Sequence, residues 1–136
     1  ESDLIELASL YQQLLANDES IGKVMAVLDN NKDNPNHAVL AARVDGKLVG
    51  SLLAVTCEML FGQCKSFMVV EDVVVDKGHR GTGIGSALMK RVESIARLNN
   101  CSYIMLMTDS DRVDSQDFYK SIGYKTDEYK GFKKQL

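Results

Sequence analysis

The segment with the most chemical potential is "DKGHRGTGIGSALM", Asp76 to Met89. Glycines at 81, 83 and 85 let a backbone turn tightly and bring main-chain N–H groups close to a ligand. A β-branched run, "SFMVVEDVVV", enters the segment, and a helical period leaves it. A helix start offers unpaired N–H groups and the positive end of a dipole. Together these features make a cradle for a phosphate. Three alternating glycines are more than a plain strand-to-helix turn requires.

Two well-known phosphate loops fit poorly. Gly78 and Gly83 have P-loop spacing, but Ile84 stands where the lysine must be. Gly81, Gly83 and Ser86 form only a degenerate dinucleotide fingerprint, and the leading helices do not suit an opening βαβ unit. Just upstream, Glu71 and Asp72 are neighbours on a strand, so alternation sends their side chains to opposite faces. At most one of them can face a given ligand. Asp109 and Asp111 follow a later strand and could bind an ammonium, though such residues more often merely solvate a loop. Cys57, Cys64 and Cys101 are an odd number without metal-ligand spacing, and His37 and His79 cluster with none of them. We expect reduced thiols in or near the core, no metal, and a cytoplasmic protein.

These residues need a scaffold. Leu4, Ala8, Tyr11 and Leu15 fall at helical spacing over Asp3 to Ala16, and Asp3 followed by Glu6 resembles a capping box. A second helix is expected over Glu19 to Leu28, with Ile21, Val24, Met25 and Leu28 on one side. The loop "DNNKDNPN" follows, then a hairpin of "HAVLAAR" and "KLVGSLLAV" around Asp45-Gly46. After the glycine segment, Ile84, Leu88, Val92 and Ile95 line one face of a helix that runs to Leu98. "SYIMLMT" reads as a strand and Asp117 to Ile122 as a short helix capped by Gly123, with a last strand from Tyr124. Strand, helix, strand over residues 66–108 implies one parallel crossover within an otherwise antiparallel sheet. The expected fold is mixed α/β: one sheet, helices on both faces, and a single domain over residues 1–136.

Composition agrees with a soluble globular chain. The 136 residues are 45% hydrophobic and 26% charged, and the only proline is Pro35. No apolar run approaches the roughly 20 residues of a membrane span. The polar opening Glu1-Ser2-Asp3 gives no expectation of a signal peptide. Net charge is −3, which disfavours a nucleic-acid partner. Residues 1–60 carry 4 basic and 9 acidic groups, and residues 61–136 carry 12 and 10. The second half therefore suits an anionic ligand better.

"RGTGIG" fits the Gln/Arg-x-x-Gly-x-Gly/Ala pattern, with Arg80, Gly83 and Gly85 at the defining positions. "DFYKSIGY", Asp117 to Tyr124, matches Phe-Tyr-x-x-x-Gly-Phe/Tyr. In this order and on these elements, the two motifs resemble the GNAT superfamily of N-acetyltransferases. The resemblance covers roughly residues 38–132 in element order. Members usually open with a short strand before the first helix, whereas here the helical period begins at Asp3.

The resemblance implies the GNAT fold, with a splayed parallel pair in a mostly antiparallel sheet. It implies acetyl-CoA as cosubstrate and direct acetyl transfer to a primary amine. Main-chain groups of Val73 and Val75 would meet the pantetheine arm, with the N–H near Val73 polarising the thioester carbonyl. Arg80, Gly81, Gly83, Ile84, Gly85 and Ser86 would hold the pyrophosphate. Tyr119 would be the general acid for the departing thiolate. Glu71 is the candidate base, because its Glu-Asp-hydrophobic-x-Val string resembles that of amino-sugar-phosphate acetyltransferases. Family members are often homodimers. The other functions to weigh are a protein N-acetyltransferase and a non-catalytic CoA-binding sensor.

Overall fold

A computed structural model describes residues 2–13 and 21–136. Its first helix, α1 (Ser2–Tyr11), buries Leu7, Ala8 and Leu10. Leu7 and Leu10 pack on Leu48 and Val74 of the sheet, so the buried face is rotated from the expected one. Leu15 lies outside the described residues. The expected capping box does not form. Glu6 Oε2 instead accepts the Leu48 N–H at 2.7 Å, and Arg43 donates to both Glu6 and Asp3, at 3.3 and 2.6 Å. These contacts tie α1 across to the sheet. The second helix, α2 (Ile21–Asn31), half-buries Val24 and Leu28 against the same cluster. Met25, expected inward, is exposed, and Glu19 lies outside the described residues.

The sheet comprises β1 (His37–Val44), β2 (Lys47–Cys57), β3 (Ser66–Val75) and β4 (Cys101–Leu106), in that order. The first three strands are antiparallel, and β3 and β4 form the parallel pair expected from the crossover. The connecting helix, α3 (Ile84–Leu98), buries Leu88, Met89, Val92 and Ala96. Asn99 at its end donates to Thr56 on β2 at 2.9 Å.

Leu48 to Leu52 are all buried on β2, a run that alternation alone would forbid in a one-sided sheet. Both faces are covered, and two register shifts decide which residue faces which helix. Ala42 pairs with Gly50 but Arg43 with Leu48, which leaves Val49 as an extra residue on β2. Leu48 thus meets α1 while Gly50 meets α3. A Cβ at Gly50 would lie 2.9 Å from Ile84 Cγ2 and 3.1 Å from Leu88 Cδ1. The glycine is what lets the start of α3 settle on the sheet, a use that an isolated glycine inside a strand pattern signals.

Contacts divide the chain into two compact units, Glu1–Met105 and Leu106–Leu136. The second contains α4 (Val113–Ser121), longer at its start than expected. Gly123 ends it at φ 97°, as its residue type suggested, and its N–H reaches Lys120 O at 3.1 Å. No strand follows at Tyr124. Tyr124, Tyr129 and Phe132 do not alternate with period two among the surrounding lysines, and Tyr129 and Phe132 are exposed. The three cysteines are free thiols; Cys57 and Cys101 are half-buried, but Cys64 is exposed in the loop before β3 rather than near the core. Among the described residues, no helix is long and apolar enough to cross a membrane.

Candidate active site

The glycine segment begins as β3 ends. Val75 pairs with Gly50, and the Asp76 N–H donates to Val49 O at 2.8 Å. A single 3-10 turn, Lys77–His79, follows, and then the chain turns into α3. Gly81 and Gly83 have φ values of 75° and 89°, in the left-handed region that favours glycine. A Cβ on either would meet nothing within 4 Å, so that side of the loop is open to a ligand. Gly83 is the N-cap of α3 and supplies no side chain to cap it. The first intrahelical bond runs from Ala87 N to Gly83 O at 2.9 Å. The N–H groups of Ile84, Gly85 and Ser86 therefore have no intrahelical acceptor. Gly85 sits in the first turn of α3 and does not take a positive φ.

The loop is braced from the turn that follows α1. Gln13 Nε2 donates to Asp76 Oδ1 at 2.9 Å, and Gln13 Oε1 accepts the Lys77 N–H at 3.1 Å. His79 Nδ1 lies 2.7 Å from Asp76 Oδ2, which also accepts the Gly78 N–H at 3.1 Å. Gln13 first, and His79 next, hold the Asp76 carboxyl down at about 2. Arg80 is exposed, and its Nε donates to Val75 O at 3.1 Å, closing the turn on itself. Neither Gln13 nor Asp76 stood out in the sequence, since nothing local marks a contact 63 residues apart.

Upstream, β3 breaks. Ser51 pairs with Val74 and Leu53 with Glu71, so Asp72 and Val73 together face the single residue Leu52. Asp72 has φ 56°. This is a β-bulge, which interrupts the ladder and re-aims side chains. The expected alternation of Glu71 and Asp72 fails here, and both side chains are exposed. The bulge also lets Val74 join the α1 cluster and disrupts pairing at Val73, where the resemblance calls for a backbone N–H donor.

Asp72, but not Glu71, lines a cavity of about 260 Å³ under α1 and α2. Its other walls are largely aliphatic. Tyr11 closes one side, its hydroxyl 3.4 Å from the fully buried Ser51 Oγ. Ser51 spends its own proton on Leu40 O at 2.9 Å, so Tyr11 is the donor to Ser51. Burial pushes the Tyr11 phenol above its ordinary value, with the Asp72 charge adding to the rise and the Ser51 hydrogen bond opposing it. Tyr11 is therefore a neutral donor at physiological pH.

Tyr119 is in the second unit, half-buried on α4. Its ring lies 5.1 Å from Phe118 and 6.1 Å from Tyr124, the latter edge-on. Its carbonyl accepts N–H groups from Ile122 and Tyr124 at 3.3 and 3.0 Å. The ring thus has a packing role in its own unit. Asp109 and Asp111 accompany it there as exposed loop residues; Asp109 O accepts the Arg112 N–H at 3.1 Å.

A strand that breaks, a glycine turn at an uncapped helix start, and a parallel crossover behind them make up a mixed α/β fold with an open helix N-terminus beside the break. The profile of the acetyltransferase (GNAT) family matches residues 4–124, and the chain belongs to that family. An uncharacterized N-acetyltransferase of Methanocaldococcus jannaschii is 34% identical over 85 residues, 62% of this chain and 50% of that protein. Glucosamine 6-phosphate N-acetyltransferase of Trypanosoma brucei brucei is 31% identical over 83 residues, 61% of this chain and 54% of that protein. The chain thus spans about half the length of these curated relatives. A solved structure from Agrobacterium tumefaciens, assigned as an acetyltransferase, superposes with a TM-score of 0.89 at 26% identity, covering 99% of this chain and 94% of that one.

Proposed function

We propose that the protein transfers an acetyl group from acetyl-CoA to a primary amine of a small molecule, by direct transfer with both substrates bound. The observation that carries this reading is the uncapped start of α3 behind Gly83, with open space where Cβ atoms at 81 and 83 would be. An uncapped helix N-terminus with an open glycine face suits a pyrophosphate. Arg80, Gly81, Gly83, Ile84, Gly85 and Ser86 would hold it, and Val73 and Val75 would meet the pantetheine arm. Bound acetyl-CoA supplies an activated acyl group as a thioester.

The residues then divide the remaining work. The Val73 N–H, at the break in β3, donates to the thioester oxygen as negative charge grows there. The amine nitrogen forms the new C–N bond as the C–S bond breaks. Glu71, beside the break, takes the proton lost by the amine, directly or through water. Tyr119 protonates the departing thiolate, a role that rests on its motif and on the proton its hydroxyl carries as a general acid. The family match runs through both units, which supports reading them as parts of one domain.

The test is a panel of amines incubated with acetyl-CoA, with free thiol release as the readout and calorimetry for CoA, ATP and NAD alongside. CoA should bind far more tightly than NAD, and at least one amine should release thiol. Equal affinity for NAD would overturn the cofactor assignment. CoA binding without thiol release from any small amine or peptide would leave a non-catalytic CoA binder. Release with peptides alone would make it a protein N-acetyltransferase.

A further inference from the structure

The cavity beside the break has a chemistry of its own. Leu7, Val24, Val27, Leu28, Val39 and Leu53 form its aliphatic walls. Its polar side chains are Tyr11, Lys23 and Asp72, and Asp72 is the only carboxylate among its described lining residues. Asp72 directly precedes Val73 within the bulge, so a group held by this carboxylate sits one residue from the proposed carbonyl donor. Tyr11 is protonated and gives its proton to Ser51, so its oxygen remains an acceptor.

From this arrangement we propose that the cavity takes a primary amine on an apolar body, with the ammonium on Asp72 and the alkyl or aryl part against the aliphatic walls. The proposal deepens the amine-transfer reading and rests on it for the reaction, though not for binding. A sugar phosphate or an amino diacid fits the same walls badly. Its hydroxyls or second carboxylate would face aliphatic carbon and lose hydrogen bonds to water. Among the described lining residues Lys23 is the only cation, and a phosphate usually collects several donors. An ammonium, by contrast, finds an opposite charge and acceptors, and a methylene chain gains by leaving water.

The experiment measures binding of n-propylamine through n-hexylamine, 2-phenylethylamine, n-hexanol, aspartate and glucosamine 6-phosphate to the CoA-loaded protein by calorimetry. Thiol release with acetyl-CoA is followed for the same set. Affinity should rise about three- to fourfold per added methylene, as burial of apolar surface predicts. Hexylamine should bind at least tenfold more tightly than glucosamine 6-phosphate or aspartate. Asp72→Asn keeps a residue type that tolerates positive φ, so the bulge survives. It should weaken hexylamine at least tenfold while leaving hexanol unchanged. Val27→Ser, at an exposed wall position, should flatten the chain-length series without unfolding the protein. A flat series in the native protein overturns the proposal. So does a preference for the sugar phosphate, or equal loss of hexylamine and hexanol in Asp72→Asn. Should hexylamine bind as expected while no amine releases thiol, the cavity assignment stands and the transfer reading fails.

Discussion

The glycine turn at 81–85 and the break in β3 at 72–73 both take the backbone out of regular structure, by opposite routes. At Gly81 and Gly83 the left-handed conformation is written in residue type, because glycine adopts it without steric cost. At Asp72 a residue with a side chain adopts it, φ 56°, because two residues of β3 must be accommodated against Leu52. The first is a local choice and the second is imposed by pairing. One leaves an open space for a ligand, and the other aims a carboxylate into a cavity.

The largest expected effect asks whether these two regions suffice for transfer. Phenylalanine at Tyr119 keeps the ring packed against Phe118 and Tyr124 and removes only the hydroxyl. Tyr119→Phe should lower kcat roughly 10- to 1000-fold, the range of a general acid. CoA affinity should be nearly unchanged, the pattern of an interaction made in the transition state. Wild-type turnover in this variant, with chemistry rate-limiting, would mean that the turn and the break do all the work.

A smaller effect separates the turn's own glycines. Gly83→Val puts a β-branched side chain at φ 89° and fills the open face. CoA affinity should fall tenfold or more, about 1.4 kcal/mol, with some loss of thermal stability. Gly85→Ala lies in a helix turn, where alanine is favoured by up to about 1 kcal/mol. It should raise the melting temperature while still weakening CoA. Unchanged CoA affinity in both folded variants would remove the ligand from the turn.

The smallest effect reads the break through stability alone. Asp72→Gly and Asp72→Ala lose the same carboxylate and differ only in backbone preference. At positive φ, glycine should be the more stable by about 1 kcal/mol in urea unfolding. A regular strand would give the reverse order, since alanine outranks glycine there by roughly 0.5–1 kcal/mol. The sign alone decides whether β3 is bulged at this residue.

The same contrast explains what could be read early. Ile84–Leu98 and Ser66–Val75 have the expected boundaries, because a long apolar period and a β-branched run leave little choice. The turn at Gly81 and Gly83 was legible because its conformation is carried by contiguous residues. Which of Glu71 and Asp72 lines the cavity was not. A one-residue change of register reverses which side chain faces the cavity, and alternation counted along β3 cannot see its partner. Gln13 and Asp76, 63 residues apart, were equally hidden.

The sequence by itself determined the element order as far as α4, the turn at the start of α3, the end of α4 at Gly123, and the family. Each depends on interactions within a few residues, or on motifs that hold their spacing. Tertiary structure alone decided that Glu6 anchors α1 to β2, that Gly50 seats α3, and that Asp72 lines the cavity under α1 and α2. Those outcomes follow from how strands slip past one another and which side chains then collide. Register is a property of pairs of strands, and no single strand's sequence contains it.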